Sequence, residues 1–98
     1  MSKTKISQMK PEWSVYLVEC SDGTYYCGIT KNIEKRIQKH NSGSGAKYTR
    51  SRIPVKLITV KNGLTKSQAL SLEYQVKQKP KYKKIEFLES FDFNIFPK

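Results

Sequence analysis

The chain has 98 residues, enough for one domain with a single modest hydrophobic core. It carries 19 lysines and arginines against 8 acidic residues, and the resulting formal net charge of +11 favours a polyanionic partner such as nucleic acid. A membrane surface is the rival partner, but the sequence has neither a long basic amphipathic helix nor an apolar run of transmembrane length.

Three regions are expected along the chain. Residues 1–11 are polar and predicted to be flexible, and they lack the apolar core of a signal peptide, so a cytoplasmic location is expected. Residues 12–89 are predicted to form a single domain. Residues 90–98 form an aromatic tail that could either pack back onto the domain or serve an interface.

A β-hairpin is predicted first, from two runs of β-branched and aromatic residues around Ser-Asp-Gly. A two-residue Asp-Gly turn would put Tyr16 and Tyr26 on opposite faces of the hairpin. A three-residue loop with Gly23 in the left-handed conformation would bring both tyrosines to one face. We expect the three-residue loop, because the other face then collects a nearly continuous apolar surface: Trp13, Val15, Leu17, Tyr25, Cys27 and Ile29.

The two cysteines are interpreted as ordinary buried thiols. In the expected register Cys20 and Cys27 point to opposite faces, so a disulfide is not expected. The chain has one histidine, which cannot complete a convincing zinc site with them.

Helices and one further strand follow the hairpin. Asn32 is a good N-cap for a first helix, and Thr65 and Gln68 match a capping box that starts a second helix, ending before Pro80. The complete prediction is a helix over 33–41, a basic glycine- and serine-rich loop over 41–54, a strand over 55–60, a helix from 65 and a last helix over 81–89 that turns Tyr82, Ile85 and Leu88 inward.

Glu73 is the most informative single residue of the sequence. It lies between Leu72 and Val76 on the buried stripe of the second helix, where a carboxylate must be paired, protonated or bound to a metal. A salt bridge to Arg36 or to a neighbouring lysine is the simpler interpretation. A single carboxylate also suits Mg²⁺, which keeps most of its waters and takes further ligands from a phosphate.

Arg36 and His40 share the apolar stripe of the first helix, one turn apart. They could be a half-buried helix edge, or a phosphate clamp and a proton-handling group. Tyr16 and Tyr26 could likewise be core aromatics, since a phenol is a weak base unless a cation or metal lowers its pKa. Each signal is weak alone, and their convergence on one surface favours a functional site.

Basic residues cluster around the first helix and the loop that follows it. A charge run is usually a solvated face, but the glycine-rich loop and the interleaved tyrosine favour a track for a nucleic-acid backbone. No helix is suited to reading bases in a major groove. The residues predicted to bind nucleic acid are Lys35, Lys39, Lys47, Tyr48, Arg50 and Arg52.

The sequence resembles the GIY-YIG nuclease superfamily, through SVY on the first strand, YCGIT on the second, R-x-x-x-H on the first helix and a glutamate on a later one. The run HNSGSGAKYTR followed by Pro-Val is similar to the small stand-alone bacterial branch of uncharacterised single-domain members. The resemblance covers about residues 13–84. Two positions depart from the family pattern: Ser14 replaces a glycine and Cys27 an isoleucine.

The resemblance implies an α+β fold with a small three-stranded antiparallel sheet flanked by helices, in the order β-β-α-β-α-α. It also implies metal-dependent hydrolysis of DNA phosphodiesters, with Mg²⁺ or Mn²⁺ and a role in DNA repair or processing. The matching catalytic positions are Tyr16, Tyr26, Arg36, His40 and Glu73. In the mechanism it implies, a tyrosinate or a metal-bound hydroxide activates water, Arg36 stabilises charge on the phosphate, and a metal on Glu73 helps the leaving oxygen.

Two functions stay open at this point. One is a structure-selective endonuclease, or one of low sequence specificity; the other is a non-catalytic nucleic-acid-binding module that keeps the nuclease fold. A third interpretation, a structural protein that binds partners through its tail, does not explain the charge. Larger family members carry additional DNA-binding domains, so this chain is expected to bind weakly, to use its own basic loop, or to work with a protein partner that supplies substrate specificity.

Overall fold

A computed structural model of the protein describes residues 11–93. Residues 1–10 of the predicted flexible N-terminus and residues 94–98 of the predicted tail lie outside the described residues. The elements in chain order are β1 Trp13–Glu19, β2 Tyr25–Thr30, α1 Ile33–Asn41, α2 Lys47–Arg50, β3 Lys56–Leu64, α3 Lys66–Lys77 and α4 Lys81–Ser90. The strands form one antiparallel sheet in the order β2-β1-β3, which confirms the predicted α+β class.

The hairpin has the predicted three-residue loop. Val18 pairs with Tyr26, and the Cys20 amide donates to the Thr24 carbonyl at 2.8 Å. Gly23 has φ +84°, the left-handed conformation that the loop requires. Cys20 and Cys27 are free thiols that belong to different core clusters, as the register predicts.

Two helix starts were predicted from local sequence and are confirmed. The Asn32 side chain accepts from the Lys35 amide at the start of α1. Thr65 and Gln68 exchange both hydrogen bonds of a capping box at the start of α3. These caps set the rotation of the two helices and so the side chains that face the sheet.

The structure differs from the sequence prediction in three places. A one-turn helix, α2, forms within the predicted loop. Strand β3 continues four residues beyond Val60, because β1 still offers pairing partners as far as Trp13. Tyr82 is 80% exposed and not inward, since it lies about 120° around α4 from the buried Leu88. The partly buried residues nearest that end of α4 are Lys84 and Ile85.

The central strand β1 separates two core clusters. One face carries Val15 and Leu17 and is covered by α3 and α4. The other face carries Tyr16 and Val18 and packs against Ile33 and Ile37 of α1. The first cluster also contains Cys27, Leu64, Ala69, Leu72, Val76, Leu88 and Phe91. No helix among the described residues is long and apolar enough to cross a membrane.

Candidate active site

Tyr16 is placed by the pairing of β1 with β2. It lies opposite Gly28 in the register, and a Cβ added to Gly28 would overlap the Tyr16 hydroxyl and ring. The tyrosine ring therefore lies directly over the glycine backbone, which allows its hydroxyl to reach the buried side of α1. A glycine is required at position 28 by this close approach.

Four polar side chains form a continuous hydrogen-bonded chain between the sheet, α1 and α2. Arg36 Nε donates to the Tyr16 hydroxyl at 3.2 Å, and that hydroxyl lies 2.8 Å from His40 Nε2. His40 Nδ1 lies 2.8 Å from Thr49 Oγ1, which donates to the Ala46 carbonyl at 3.0 Å. Tyr16, His40 and Thr49 are fully buried, and Arg36 is half-buried. Arg36 is thus the member of the chain that reaches solvent.

The protonation states of these hydrogen-bonded side chains follow from their surroundings. Burial raises the pKa of Tyr16 to about 12 although the Arg36 hydrogen bond opposes the shift, so the phenol is neutral at physiological pH. Burial, and then the nearby Arg36 charge, lower the pKa of His40, which favours the neutral imidazole. The Tyr16 hydrogen bond raises the pKa of Arg36, which keeps its charge.

Tyr26 shares a face with Tyr16, as the register predicts, and its ring lies nearer the surface. Its centroid is 5.5 Å from that of His40 and 5.9 Å from that of Tyr48, with which it is stacked. A cleft of about 300 Å³ opens beside these rings along the edge of β2, lined by Tyr25, Tyr26, Cys27, Tyr48, Lys77 and Lys84. A larger cleft of about 480 Å³ lies around the ends of β3 and α4 and contains none of the predicted catalytic residues.

Glu73 belongs to α3 and approaches β2 from the other face of the sheet. Its carboxylate forms an ion pair with Lys77 at 3.1 Å. Burial is the main cause of the raised pKa of the Cys27 thiol, and the negative charge of Glu73 raises that pKa further. The Lys77 ammonium lies 5.8 Å from the centroid of the Tyr26 ring. Tyr16, Tyr26, Arg36 and His40 are therefore brought into direct contact, whereas Glu73 joins them through Lys77 at the edge of β2.

The predicted nucleic-acid-binding residues divide into two groups. Lys35, Lys39, Lys47 and Arg50 are exposed on α1 and α2. Arg52 instead pairs with Asp22 at 3.0 Å and donates to the Tyr48 carbonyl at 2.7 Å. Its guanidinium also lies 4.0 Å from the centroid of the Tyr48 ring, so Arg52 fastens the loop to the hairpin turn.

One residue of the candidate site, Thr49, was missed from the sequence. Thr49 follows the Lys47-Tyr48 pair that was singled out, but nothing in a four-residue polar segment signalled that its side chain would be buried against His40. The ion pair of Glu73 with Lys77 confirms the salt bridge to a neighbouring lysine that was expected, and the spacing of four residues on one helix face shows which lysine forms it.

Glu73 could supply one carboxylate ligand to a divalent metal ion, and its charged neighbours Lys77 and Lys84 are not metal ligands. Within residues 11–93, no group of three or more His, Cys, Asp or Glu side chains is placed to hold an ion. Glu73 keeps 19% of its side chain exposed, and a single carboxylate of this kind fits an ion such as Mg²⁺ that takes its other ligands from water and phosphate. Lys77 competes for this carboxylate in the free protein.

Comparison with known proteins gives one consistent result. The family model described as the GIY-YIG catalytic domain matches residues 12–86. A UPF0213 protein of Bacillus cereus is 53% identical over 74 residues, covering 76% of this chain and 77% of that protein. A UPF0213 protein of Streptococcus pneumoniae is 48% identical over 82 residues, 83% of each chain. The solution NMR structure of an E. faecalis protein is 38% identical with a TM-score of 0.55, covering 80% of this chain and 83% of that one.

Proposed function

The chain belongs to the GIY-YIG catalytic domain family, whose nuclease domain implies a nucleic-acid substrate, and from this premise we propose a metal-dependent endonuclease that hydrolyses DNA phosphodiester bonds. We infer a structure-selective activity, or one of low sequence specificity, that serves DNA repair or processing in the cytoplasm. The observation that carries the proposal is the buried Tyr16–His40 pair holding a charged Arg36 at the surface of a protein with a net charge of +11.

Arg36 is the proposed phosphate-binding group. Its Nε donates to Tyr16 and the guanidinium also has a hydrogen-bond interaction with Tyr26, which leaves its remaining N–H groups to donate to phosphate oxygens. A guanidinium already held in place stabilises the charge that builds on the phosphate during attack by water without a cost of reorganisation. Tyr16 and His40 are fully buried, so in this proposal they act on the substrate through Arg36.

Tyr26 is the proposed phenol at the reacting centre. Unlike Tyr16, it is partly exposed and borders the cleft beside β2. There it would orient the attacking water and accept a hydrogen bond from it. Burial raises the pKa of Tyr16 to about 12, which disfavours at that position the tyrosinate that the family resemblance implies.

Glu73 would hold the metal ion, Mg²⁺ or Mn²⁺. Such an ion, when bound, supplies Lewis-acid stabilisation of the phosphate and of the leaving oxygen. For Glu73 to accept it, the Lys77 ammonium must move away from the carboxylate. A phosphate entering the cleft offers Lys77 another anion, so substrate binding would favour that exchange.

The substrate would be held mainly through its backbone. Lys35, Lys39, Lys47 and Arg50 supply exposed positive charge on α1 and α2, and Tyr48 adds a partly exposed ring. Contacts of this kind position a nucleic acid without reading its sequence. Selectivity would then come from the shape of the DNA or from a protein partner.

A non-catalytic binding module is the second candidate function. The ion pair of Glu73 with Lys77 favours it, because a carboxylate already paired with a lysine needs no metal to be satisfied. Such a module would bind nucleic acid through the same basic surface and would be indifferent to the loss of Glu73.

A cleavage assay separates the two candidates. Labelled duplex, single strand, flap and four-way junction DNA would be incubated with Mg²⁺ or Mn²⁺ and with the wild type, Glu73→Ala or Glu86→Ala. Glu86 is an exposed glutamate of α4 and serves as the matched control. The nuclease proposal expects metal-dependent cutting by the wild type and the control that Glu73→Ala loses. Equal binding by all three proteins without cutting would contradict it and favour the binding module.

A further inference from the structure

We propose that Thr49 is a positioning residue that holds His40 in the tautomer with its proton on Nδ1, and that this tautomer directs the Tyr16 hydroxyl so that Tyr16 can hold Arg36. The placement of the protons is inferred from hydrogen-bond geometry alone. Its consequence for cleavage rests on the function proposed above.

The direction of donation along the hydrogen-bonded side chains is fixed at their buried end, by Thr49. Thr49 Oγ1 carries one hydrogen, and it donates that hydrogen to the Ala46 carbonyl, which has none to give. This is the back-bond to the i−3 carbonyl that threonine makes within a helical turn. In its contact with His40, the Thr49 hydroxyl oxygen can therefore act only as a hydrogen-bond acceptor.

His40 must then donate from Nδ1. Its Nδ1 lies 2.8 Å from Thr49 Oγ1, and two acceptors would not approach so closely. A Cβ added to Gly45 would lie 2.5 Å from the same nitrogen, so the loop backbone closes over Nδ1 and leaves Thr49 as its partner. A neutral imidazole with its proton on Nδ1 has an acceptor at Nε2.

Tyr16 must in turn donate to His40. The phenol hydrogen points to Nε2 at 2.8 Å, and the lone pairs of the phenol oxygen are left for Arg36 Nε. In the opposite tautomer Nε2 would donate to the Tyr16 oxygen, and the phenol hydrogen would be turned toward the guanidinium, which is itself a donor. The phenol hydrogen and the Arg36 Nε–H would then meet on one side of the oxygen, which weakens this hydrogen bond, so the Thr49 hydroxyl acts on Arg36 through two intermediates.

The single histidine of the chain makes this tautomer directly measurable. Nitrogen-15 NMR of the imidazole at pH 7.5 distinguishes a protonated from an unprotonated ring nitrogen in wild type, Thr49→Val and Thr49→Ser. Valine keeps the shape of the buried side chain without the hydroxyl, and serine restores the hydroxyl. Thr59→Val, at a partly buried threonine of β3, is the matched control.

We expect a proton on Nδ1 in the wild type, Thr49→Ser and Thr59→Val, and a shift of that proton toward Nε2 in Thr49→Val. A wild type with the proton on Nε2 would overturn the proposal, as would a Thr49→Val protein that keeps it on Nδ1. If Thr49→Val does not fold, Thr49→Ala replaces it, and the wild-type spectrum still decides between the two tautomers.

Cleavage kinetics test the consequence separately. Thr49→Val should lower kcat about tenfold or more with KM little changed, a loss comparable to that caused by removing the hydrogen-bond partner of a metal-binding histidine. Thr49→Ser should recover most of that rate. If the wild type cuts nothing, the proposed nuclease fails while the NMR result stands. If it cuts and the proton lies on Nε2, the nuclease stands and the role of Thr49 fails.

Discussion

The two faces of β1 are equally buried but differ in chemistry. Toward α3 and α4 the strand presents Val15 and Leu17 to an apolar cluster. Toward α1 it presents Val18 beside Tyr16, whose hydroxyl is tied to a charged residue and to a buried histidine. Burying such a polar chain brings little net stability compared with apolar packing, because each group must first lose its water.

The two faces of β1 therefore contribute differently to stability and to the proposed function. The apolar face supplies most of the hydrophobic stabilisation, and of the five proposed catalytic residues it is Glu73 alone that approaches from that side. On the polar face every buried side-chain nitrogen and oxygen of the described residues has a partner, so the chain is held in one arrangement. Substitutions on the two faces should therefore affect different measurements.

The largest effect is expected from Leu72→Ala on the apolar face. Leu72 is fully buried, and a leucine truncated to alanine in a packed core costs about 2–5 kcal/mol of unfolding free energy. Urea denaturation measures this loss, with cleavage assayed well below the melting temperature expected to stay near wild type. Leu70→Ala is the control, because Leu70 lies on the same helix and is 47% exposed. A Leu72 variant that folds stably but cuts poorly would break the division between the faces.

Tyr16→Phe tests the polar face. It removes one hydroxyl and leaves Arg36 Nε and His40 Nε2 without that partner, at a cost of about 1–3 kcal/mol of unfolding free energy. Cleavage should fall by at least about tenfold, more than the stability loss explains. Tyr82→Phe, at an exposed tyrosine of α4 outside the cleft, should retain activity. Equal activities of the two variants would remove Tyr16 from the site.

Much of the fold could be predicted from the sequence because its signals are local. The hairpin register follows from three residues and the alternation around them, and the starts of α1 and α3 follow from Asn32 and from the Thr65–Gln68 pair. The residues of the site were found through spacing on those elements and through the family resemblance. Tyr16, Arg36 and His40 meet because local rules already fixed their faces.

The remainder depends on contacts between distant segments. The turn of helix at α2 is held through Thr49 against His40 and through Arg52 against Asp22, two contacts that no short window of sequence contains. Arg52 was predicted to bind nucleic acid from its charge, yet its guanidinium is largely engaged within the protein. A composition argument counts positive charges without distinguishing those that are already paired.

A pH titration tests the polar face of β1 through His40, and its expected effect on stability is of intermediate size. The pKa of His40 is lowered from 6.5 in the folded protein by burial and by Arg36, with Tyr16, Tyr26 and Thr49 also facing the ring. Below pH 6.5 the unfolded chain therefore binds more protons than the folded one, and stability falls as pH falls through the folded pKa.

Urea denaturation from pH 7.5 to pH 5 measures this loss, with a slope of up to about 1.4 kcal/mol per pH unit. His40→Gln is the control, since it removes the single histidine and should flatten the profile in this range. An unchanged slope in that variant would mean that His40 is not the group responsible.

The smallest effect on stability is expected from substitutions in the exposed binding surface, outside the polar face. Lys47 and Arg50 are exposed on α2, so Lys47→Ala and Arg50→Ala should change the unfolding free energy by no more than about 0.5 kcal/mol. If each contacts one phosphate, each substitution should reduce the slope of log K against log salt by about 0.9, as measured by fluorescence anisotropy on labelled DNA. Lys66→Ala, an exposed lysine of α3 on the apolar side of the sheet, should leave the slope unchanged. An equal reduction by Lys66→Ala would mean that DNA is held by overall charge, and that the polar face directs the chemistry without directing the binding.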